Sequence, residues 1–374
     1  MPLECLRPDL PAAAFAVTEL EGERLRAKLD QNEAPVDLPA PLKREIADAL
    51  ARGAWNRYPQ PRAYAEAKAA LARAVGLPPE AVALTVGCDQ VIQAAFLLAG
   101  GPGRRARWFE PAYPYIPLQS RATGTIGEGV ILGPDVDAAV DAAAVLAPPA
   151  PHLAVLVTPG NPTGGLIARA AIDAALADPG RLVLVDEAYA DFAPLHDDGA
   201  RGDDPSVLAE APSRPNLLVG RSLSKSLLAG VRLGFAAGHP DLVAALERLY
   251  TAPYHLNALQ LLVAARYAEI RPHVEAAAAE VARERARVTA ALAAMPGLAP
   301  RPSRANFVLF AVAGGAEGAG ALHAALAGAG VRVRDVGGLP GLAGYLRVTI
   351  GTRAENDCFL AAVTAAGEPG RTAT

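Results

Sequence analysis

Cysteine is scarce: Cys5, Cys88 and Cys358 are the only three in 374 residues, and they lie far apart. Such spacing suits neither a disulfide framework nor a thiolate metal site, so free thiols in a reducing compartment are expected. The six histidines show no metal-ligand spacing, and both a Gly-x-Ser-x-Gly elbow and a Walker loop are missing. No apolar run reaches the roughly 18 residues that a membrane span needs. Met1 to Leu10 carries Glu4, Arg7 and Asp9, which leaves no apolar core for a secretory signal. A cytoplasmic location is therefore expected. Basic charge is not in excess either. The formal net charge is -4, which argues against nucleic acid or an anionic membrane as a partner.

What is present is an ordinary globular profile, 52% apolar and 20% charged. The length accommodates one large domain and a smaller one. From Ala81 to Ala237 short β-rich runs alternate with helical ones: Ala81 to Val86, Ala106 to Glu110, His152 to Thr158, Arg181 to Asp186, Leu217 to Arg221 and Leu233 to Ala237. This alternation predicts an α/β fold with a mostly parallel sheet, whose ligand sits at the carboxyl ends of the strands. Beyond Pro240 helical signals dominate, including a long run from Pro272 to Met295. Its charges, Glu275, Glu280, Arg283, Glu284, Arg285 and Arg287, read as a solvated face. Strands near Ala305 to Phe310, Val331 to Arg334 and Tyr345 to Ile350 then suggest a separate α+β lobe.

The chemistry-bearing motifs fall at the predicted strand ends. Ser222-Leu223-Ser224-Lys225 places two hydroxyls and an amine together, a set that can hold a phosphate and form an imine. Arg232, seven positions on, adds a cation. Standing alone this would be a polar turn. Val183 to Asp186 is an apolar run ending in a carboxylate, with Tyr189 three positions later. Asp186 could pair with the pyridine nitrogen of pyridoxal 5′-phosphate, or serve as a metal ligand or a cap. Thr158-Pro159-Gly160-Asn161-Pro162-Thr163-Gly164 is a stiff turn that aims the Asn161 amide. Gly87-Cys88-Asp89 opens a helix, where free N–H groups attract an anion, and Tyr113 could stack on a flat ring.

In order and spacing these motifs resemble the fold-type I, pyridoxal-phosphate-dependent aminotransferases of the aspartate aminotransferase superfamily. Leu29 to Pro35, Asn56-Arg57-Tyr58-Pro59, Val331 to Asp335 and Leu346 to Thr352 narrow the resemblance to histidinol-phosphate aminotransferases and their close relatives, over about residues 29 to 353. The resemblance implies that Lys225 holds the cofactor as a Schiff base and shuttles the proton. It implies that Asp186 pairs with the ring nitrogen, that Asn161 and Tyr189 hold the ring hydroxyl, and that Tyr113 stacks on the ring. Gly87, Cys88, Asp89, Ser222, Ser224 and Arg232 would surround the phosphate, joined by Tyr58 of a second subunit in a homodimer. Arg347 would clamp a substrate carboxylate, Arg334 would contact a substrate phosphate, and Asn32 would face the substrate. The amino acceptor implied is 2-oxoglutarate. A large domain over 45–260 and a small one from 1–44 plus 261–374 are expected.

The chain departs from the family's pattern in places. The loop between Lys225 and Arg232 is one residue shorter, Cys88 stands where serine or alanine is commoner, and Gln90 replaces a glutamate. Asp30 and Ala34 are unusual in the substrate-facing segment. These departures keep open a different reaction on the same cofactor, such as a threonine-phosphate-type decarboxylation, an elimination, a replacement or a carbon–carbon bond formation. A regulator or an inactive homologue is disfavoured, because Lys225 and Asp186 are both present and no basic helix-turn-helix precedes residue 40.

Overall fold

The computed structural model describes residues 25–133 and 142–367; Cys5 and the first ten residues discussed above lie outside them. Its strands, in chain order, are β1 (Ala27–Leu29), β2 (Val82–Thr85), β3 (Arg105–Glu110), β4 (Ile126–Ile131), β5 (Leu153–Val157) and β6 (Leu182–Asp186). They continue as β7 (Leu217–Ser222), β8 (Gly234–Gly238), β9 (Leu298–Pro300), β10 (Phe307–Val312), β11 (Val331–Asp335) and β12 (Tyr345–Thr349).

Seven strands form one sheet in the order β2-β8-β7-β6-β5-β3-β4. From β7 through β4 every pairing is parallel, while β8 runs antiparallel to both β2 and β7. The expected α/β class, with its mostly parallel sheet, is what the chain adopts. The central strands are apolar at nearly every position because helices cover both faces. Val183, Leu184, Val185, Leu217, Leu218 and Val219 are fully buried. β4, IGEGVI, escaped the sequence reading because it is a mostly exposed edge strand interrupted by two glycines.

The second sheet, β1-β11-β12-β10-β9, is built from both ends of the described chain. Ala27, Lys28 and Leu29 pair in parallel with Val331, Arg332 and Val333. Its apolar face packs with the 27-residue helix Tyr267–Ala293 around Phe307, Phe310, Val288 and Phe359. That helix corrects one expectation, since two of its charges are not solvated. Glu284 and Arg285 are 4% and 3% exposed. Glu284 holds Arg287 at 2.7 Å and accepts from Asn356 at 2.9 Å, while Arg285 donates to the carbonyls of Ala305 and Leu195. Both point inward, Glu284 to Asn356 of the last helix and Arg285 to the backbone at Ala305 and Leu195, so each has polar partners where it is buried. Among the described residues no helix is long and apolar enough to cross a membrane, and no cluster of metal-ligating side chains occurs.

Candidate active site

The carboxyl ends of β5, β6 and β7 face β11 and β12 across a cavity of about 890 Å³. Asp186, Lys225, Tyr113, Asn161, Arg334 and Arg347 all line it. The topology explains the convergence: each parallel strand ends in the same direction, so the turn that follows it opens on one rim.

Asp186 is the last residue of β6 and is 3% exposed. Its Oδ1 accepts from the Cys88 thiol at 3.0 Å and from the Ala188 backbone N–H at 3.0 Å. No hydrogen bond falls on its Oδ2 among the described residues. Burial pushes the Asp186 carboxyl up to about 6, against the opposing pull of those two donors. Lys225 Nζ donates to the Gln31 carbonyl at 3.2 Å and lies 6.0 Å from the centroid of the Tyr189 ring. Burial, helped by the Arg347 charge, brings the lysine down to about 8. Tyr189 is buried and its hydroxyl accepts from the Asn32 amide at 2.8 Å.

The other end of the cavity carries the positive charge and the hydroxyls. Gly87 adopts φ +70, and a Cβ there would sit 3.4 Å from the Arg232 guanidinium. The left-handed turn at Gly87 lets the helix Gly87–Ala99 start directly at the end of β2. Arg232 Nη1 donates to Ser224 Oγ at 3.1 Å and its Nη2 to Asp89 at 3.2 Å. Ser222 Oγ accepts from the Ser224 N–H at 3.2 Å. Arg232 thus reaches both Ser224 and Asp89 across the short loop after Lys225. That loop holds Leu227 at φ 92 and Arg232 at φ 58, both left-handed and both unusual for these residue types. Gln90, another departure, caps the same turn by accepting from the Val86 N–H at 2.8 Å.

On the rim toward the second sheet, Arg347 is 7% exposed. Its Nη1 donates to Asn161 Oδ1 at 2.6 Å and its Nη2 to the Asp30 carbonyl at 2.9 Å. Its side chain also lies over Phe307, 5.2 Å from the ring centroid. Burial, with Arg334 nearby, lowers Arg347 to about 10, so it stays charged at neutral pH. Arg334 and Arg347 are register partners in β11 and β12, which puts both side chains on one face of the sheet.

Three predicted residues sit differently from the rest. The Cys88 sulfur turns to Asp186 rather than toward Ser222 or Ser224. Asn32 lines the cavity, but its polar groups are engaged by Tyr189, Thr349 and Asn306. Tyr58 does not line this cavity; it is 75% exposed and meets the Tyr254 ring edge-on, centroids 5.6 Å apart. The structure also adds residues that the motifs did not reveal. Arg332 pairs with Asp30 at 3.2 Å, both largely buried, and Gln31 supplies the carbonyl for Lys225. Only the unusual Asp30 signalled that something there had changed.

The family model for aminotransferase class I and II matches residues 27–363, nearly the whole described chain. The chain belongs to this family. It is similar to the histidinol-phosphate aminotransferase of Paenarthrobacter aurescens, 36% identical over 347 residues that cover 90% of this chain and 88% of that protein. It is also similar to the histidinol-phosphate aminotransferase of Methylibium petroleiphilum, 37% identical over 358 residues, 94% and 91% of the two chains. The crystal structure of the Sinorhizobium meliloti histidinol-phosphate aminotransferase in complex with pyridoxal 5′-phosphate superposes with a TM-score of 0.76. It covers 92% of each chain at 24% identity, which speaks for the fold alone. This aminotransferase depends on pyridoxal 5′-phosphate, and its residues fit that group. A buried carboxylate with one uncommitted oxygen suits a protonated ring nitrogen, a lysine at about 8 suits imine formation, and Arg232 with two serines and a helix N-terminus suits a phosphate.

Proposed function

We propose that this aminotransferase moves an amino group between L-histidinol phosphate and 2-oxoglutarate. The observation that carries the reading is the pair Arg334 and Arg347, side by side on one face of the second sheet at the rim of the cavity. Histidinol phosphate brings a phosphate and no carboxylate; 2-oxoglutarate brings two carboxylates. Two adjacent guanidinium groups accept either charge pattern, and their planar forks suit both oxyanions. The similarity to histidinol-phosphate aminotransferases supports the same reading.

When bound, pyridoxal phosphate supplies an electrophilic carbon for the substrate amine and a ring that takes up the electron pair released at Cα. Asp186 keeps a negative charge beside the ring nitrogen through Oδ2. Asn161 and Tyr189 would hold the ring hydroxyl, Tyr113 would stack on the ring, and Arg232, Ser222 and Ser224 would hold the phosphate with the helix that starts at Gly87. Lys225 Nζ would be the group that takes up and gives back the proton at the substrate Cα. Arg347 orients a carboxylate, and Asn161, hydrogen-bonded to it, links that orientation to the ring. Tyr58, exposed together with the Tyr254 ring it meets, reaches the site of a second subunit in a homodimer.

The test is the absorption spectrum of the loaded enzyme. L-Histidinol phosphate alone should shift the visible band of the bound cofactor to the near ultraviolet, one equivalent per site, and 2-oxoglutarate should restore it. A band that ignores histidinol phosphate overturns the substrate. Release of carbon dioxide from a phosphorylated amino acid would replace amino transfer with decarboxylation.

A further inference from the structure

We infer that Cys88 is a positioning residue whose thiol holds the Asp186 carboxylate for the ring nitrogen of the cofactor. The inference rests on the assignment of Asp186 to that nitrogen made above.

The geometry is local and enclosed. Cys88 is the second residue of the helix Gly87–Ala99 and is 6% exposed. Its Sγ donates to Asp186 Oδ1 at 3.0 Å. Gly220 stands opposite Asp186 in the β6–β7 register, and a Cβ on Gly220 would come within 2.7 Å of the same sulfur. The absence of a side chain at Gly220 is what makes room for the thiol against the carboxylate. With the Ala188 N–H also on Oδ1, one carboxylate oxygen is fully engaged and the other is left for the ring.

The bond has a chemical consequence. A carboxylate buried in this way tends to take a proton, which would cancel the charge that the ring nitrogen needs. Neighbouring Asp89 and Glu187 push in the same direction, and the donors on Oδ1 resist it. Burial and the adjacent carboxylate drive the thiol well above its usual range, while Arg221 pulls the other way. Cys88 therefore stays protonated and remains a donor throughout the working pH range. The bond joins the helix that starts at Gly87 to β6, so the phosphate end and the nitrogen end of the site are set by one short link.

The experiment uses holoenzyme loaded with cofactor labelled with nitrogen-15 in the ring and read by solid-state NMR between about pH 7 and 9. Cys88→Val fills the space of the sulfur without a donor; Cys88→Ser keeps a donor with less bulk. The wild type and the serine variant should hold the ring-nitrogen proton across the range. In the valine variant the nitrogen-15 shift should move toward that of a neutral pyridine, because the carboxylate, made more basic by loss of the thiol donor, draws the shared proton to itself. A valine variant that matches the wild type overturns the inference. So does a pattern in which valine preserves the signal and serine loses it, because packing would then be the cause. Asp186→Asn separates the two readings: if it leaves the nitrogen shift unchanged, the assignment of Asp186 itself fails. Should the valine variant not load the cofactor, the carboxyl carbon-13 shift of Asp186 is titrated in the stripped protein. A midpoint about one unit above wild type supports the thiol bond, and an unchanged midpoint overturns it.

Discussion

Lys225 should lose its proton far more readily than an ordinary lysine before any cofactor arrives. Its amine is lowered to about 8, first by burial and then by the Arg347 charge, with Arg232 adding a smaller repulsion and Asp89 and Glu33 opposing. At pH 7.5 roughly a quarter of such lysines is uncharged, against about one in a thousand for an ordinary lysine, a difference of about 200-fold. The assay is competition labelling of the stripped protein with a trace of acetic anhydride, followed by mass spectrometry of the Lys225 peptide. Its rate should rise with a midpoint near 8, and Arg347→Gln should move that midpoint upward because the second cause is gone. The midpoint is the observable, because a less basic amine is also a weaker nucleophile and the amplitude alone would mislead. The sign for stability follows from proton counting. Between pH 8 and the ordinary lysine value the unfolded chain binds more protons, so the stripped protein gains stability as pH rises through that window. The gain totals about 3 kcal/mol and is absent below it. A Lys225 midpoint indistinguishable from those of the surface lysines would refute the reasoning.

Asp186→Asn should stabilise the stripped protein at pH 7.5 by up to about 3 kcal/mol in chemical denaturation. The buried carboxyl, raised to about 6, favours folding while protonated and loses that contribution as pH rises through 6, so the gain should vanish in acid. The same change should cost the loaded enzyme at least about a hundredfold in kcat. Arg347→Lys removes the fork that reaches Asn161 and the Asp30 carbonyl, and should lower kcat/KM for 2-oxoglutarate roughly a hundredfold in steady-state kinetics. Mixing Lys225→Ala subunits with Tyr58→Ala subunits should restore about a quarter of wild-type activity, because each hybrid dimer then holds one intact site. No recovery on subunit exchange would place Tyr58 outside the partner's site.

Legibility in the sequence followed the range of the interaction. β5, β6 and β7 were readable because strands buried on both faces must be apolar throughout, and their ends marked the cavity that holds Asp186 and Lys225. β1 is three residues long, too short for any pattern, and β4 lacks an apolar face. The buried pair Glu284 and Arg285 reads as surface because charge on a helix is ordinarily solvated; only the partners Asn356, Ala305 and Leu195 show otherwise. The same holds in the site. Lys225, Asp186 and Tyr189 announce themselves by local motif. The Cys88–Asp186 bond, the Asp30–Arg332 pair and the hold of Asn32 on Tyr189 depend on register between segments far apart in the chain.

That last contact has a consequence for the timing of synthesis. Asn32 is held by Thr349, 317 residues later, and Gln31 beside it carries the carbonyl that meets Lys225. A ribosome must therefore complete most of β12 before the segment that steadies the tyrosine and the lysine has anything to close upon. The first sheet is complete once residue 238 has emerged, so a nascent chain carries a built floor and an open roof for about a hundred further residues. Closure of the site therefore waits on β12, and the strand that seals it is made about a hundred residues after the sheet that floors it.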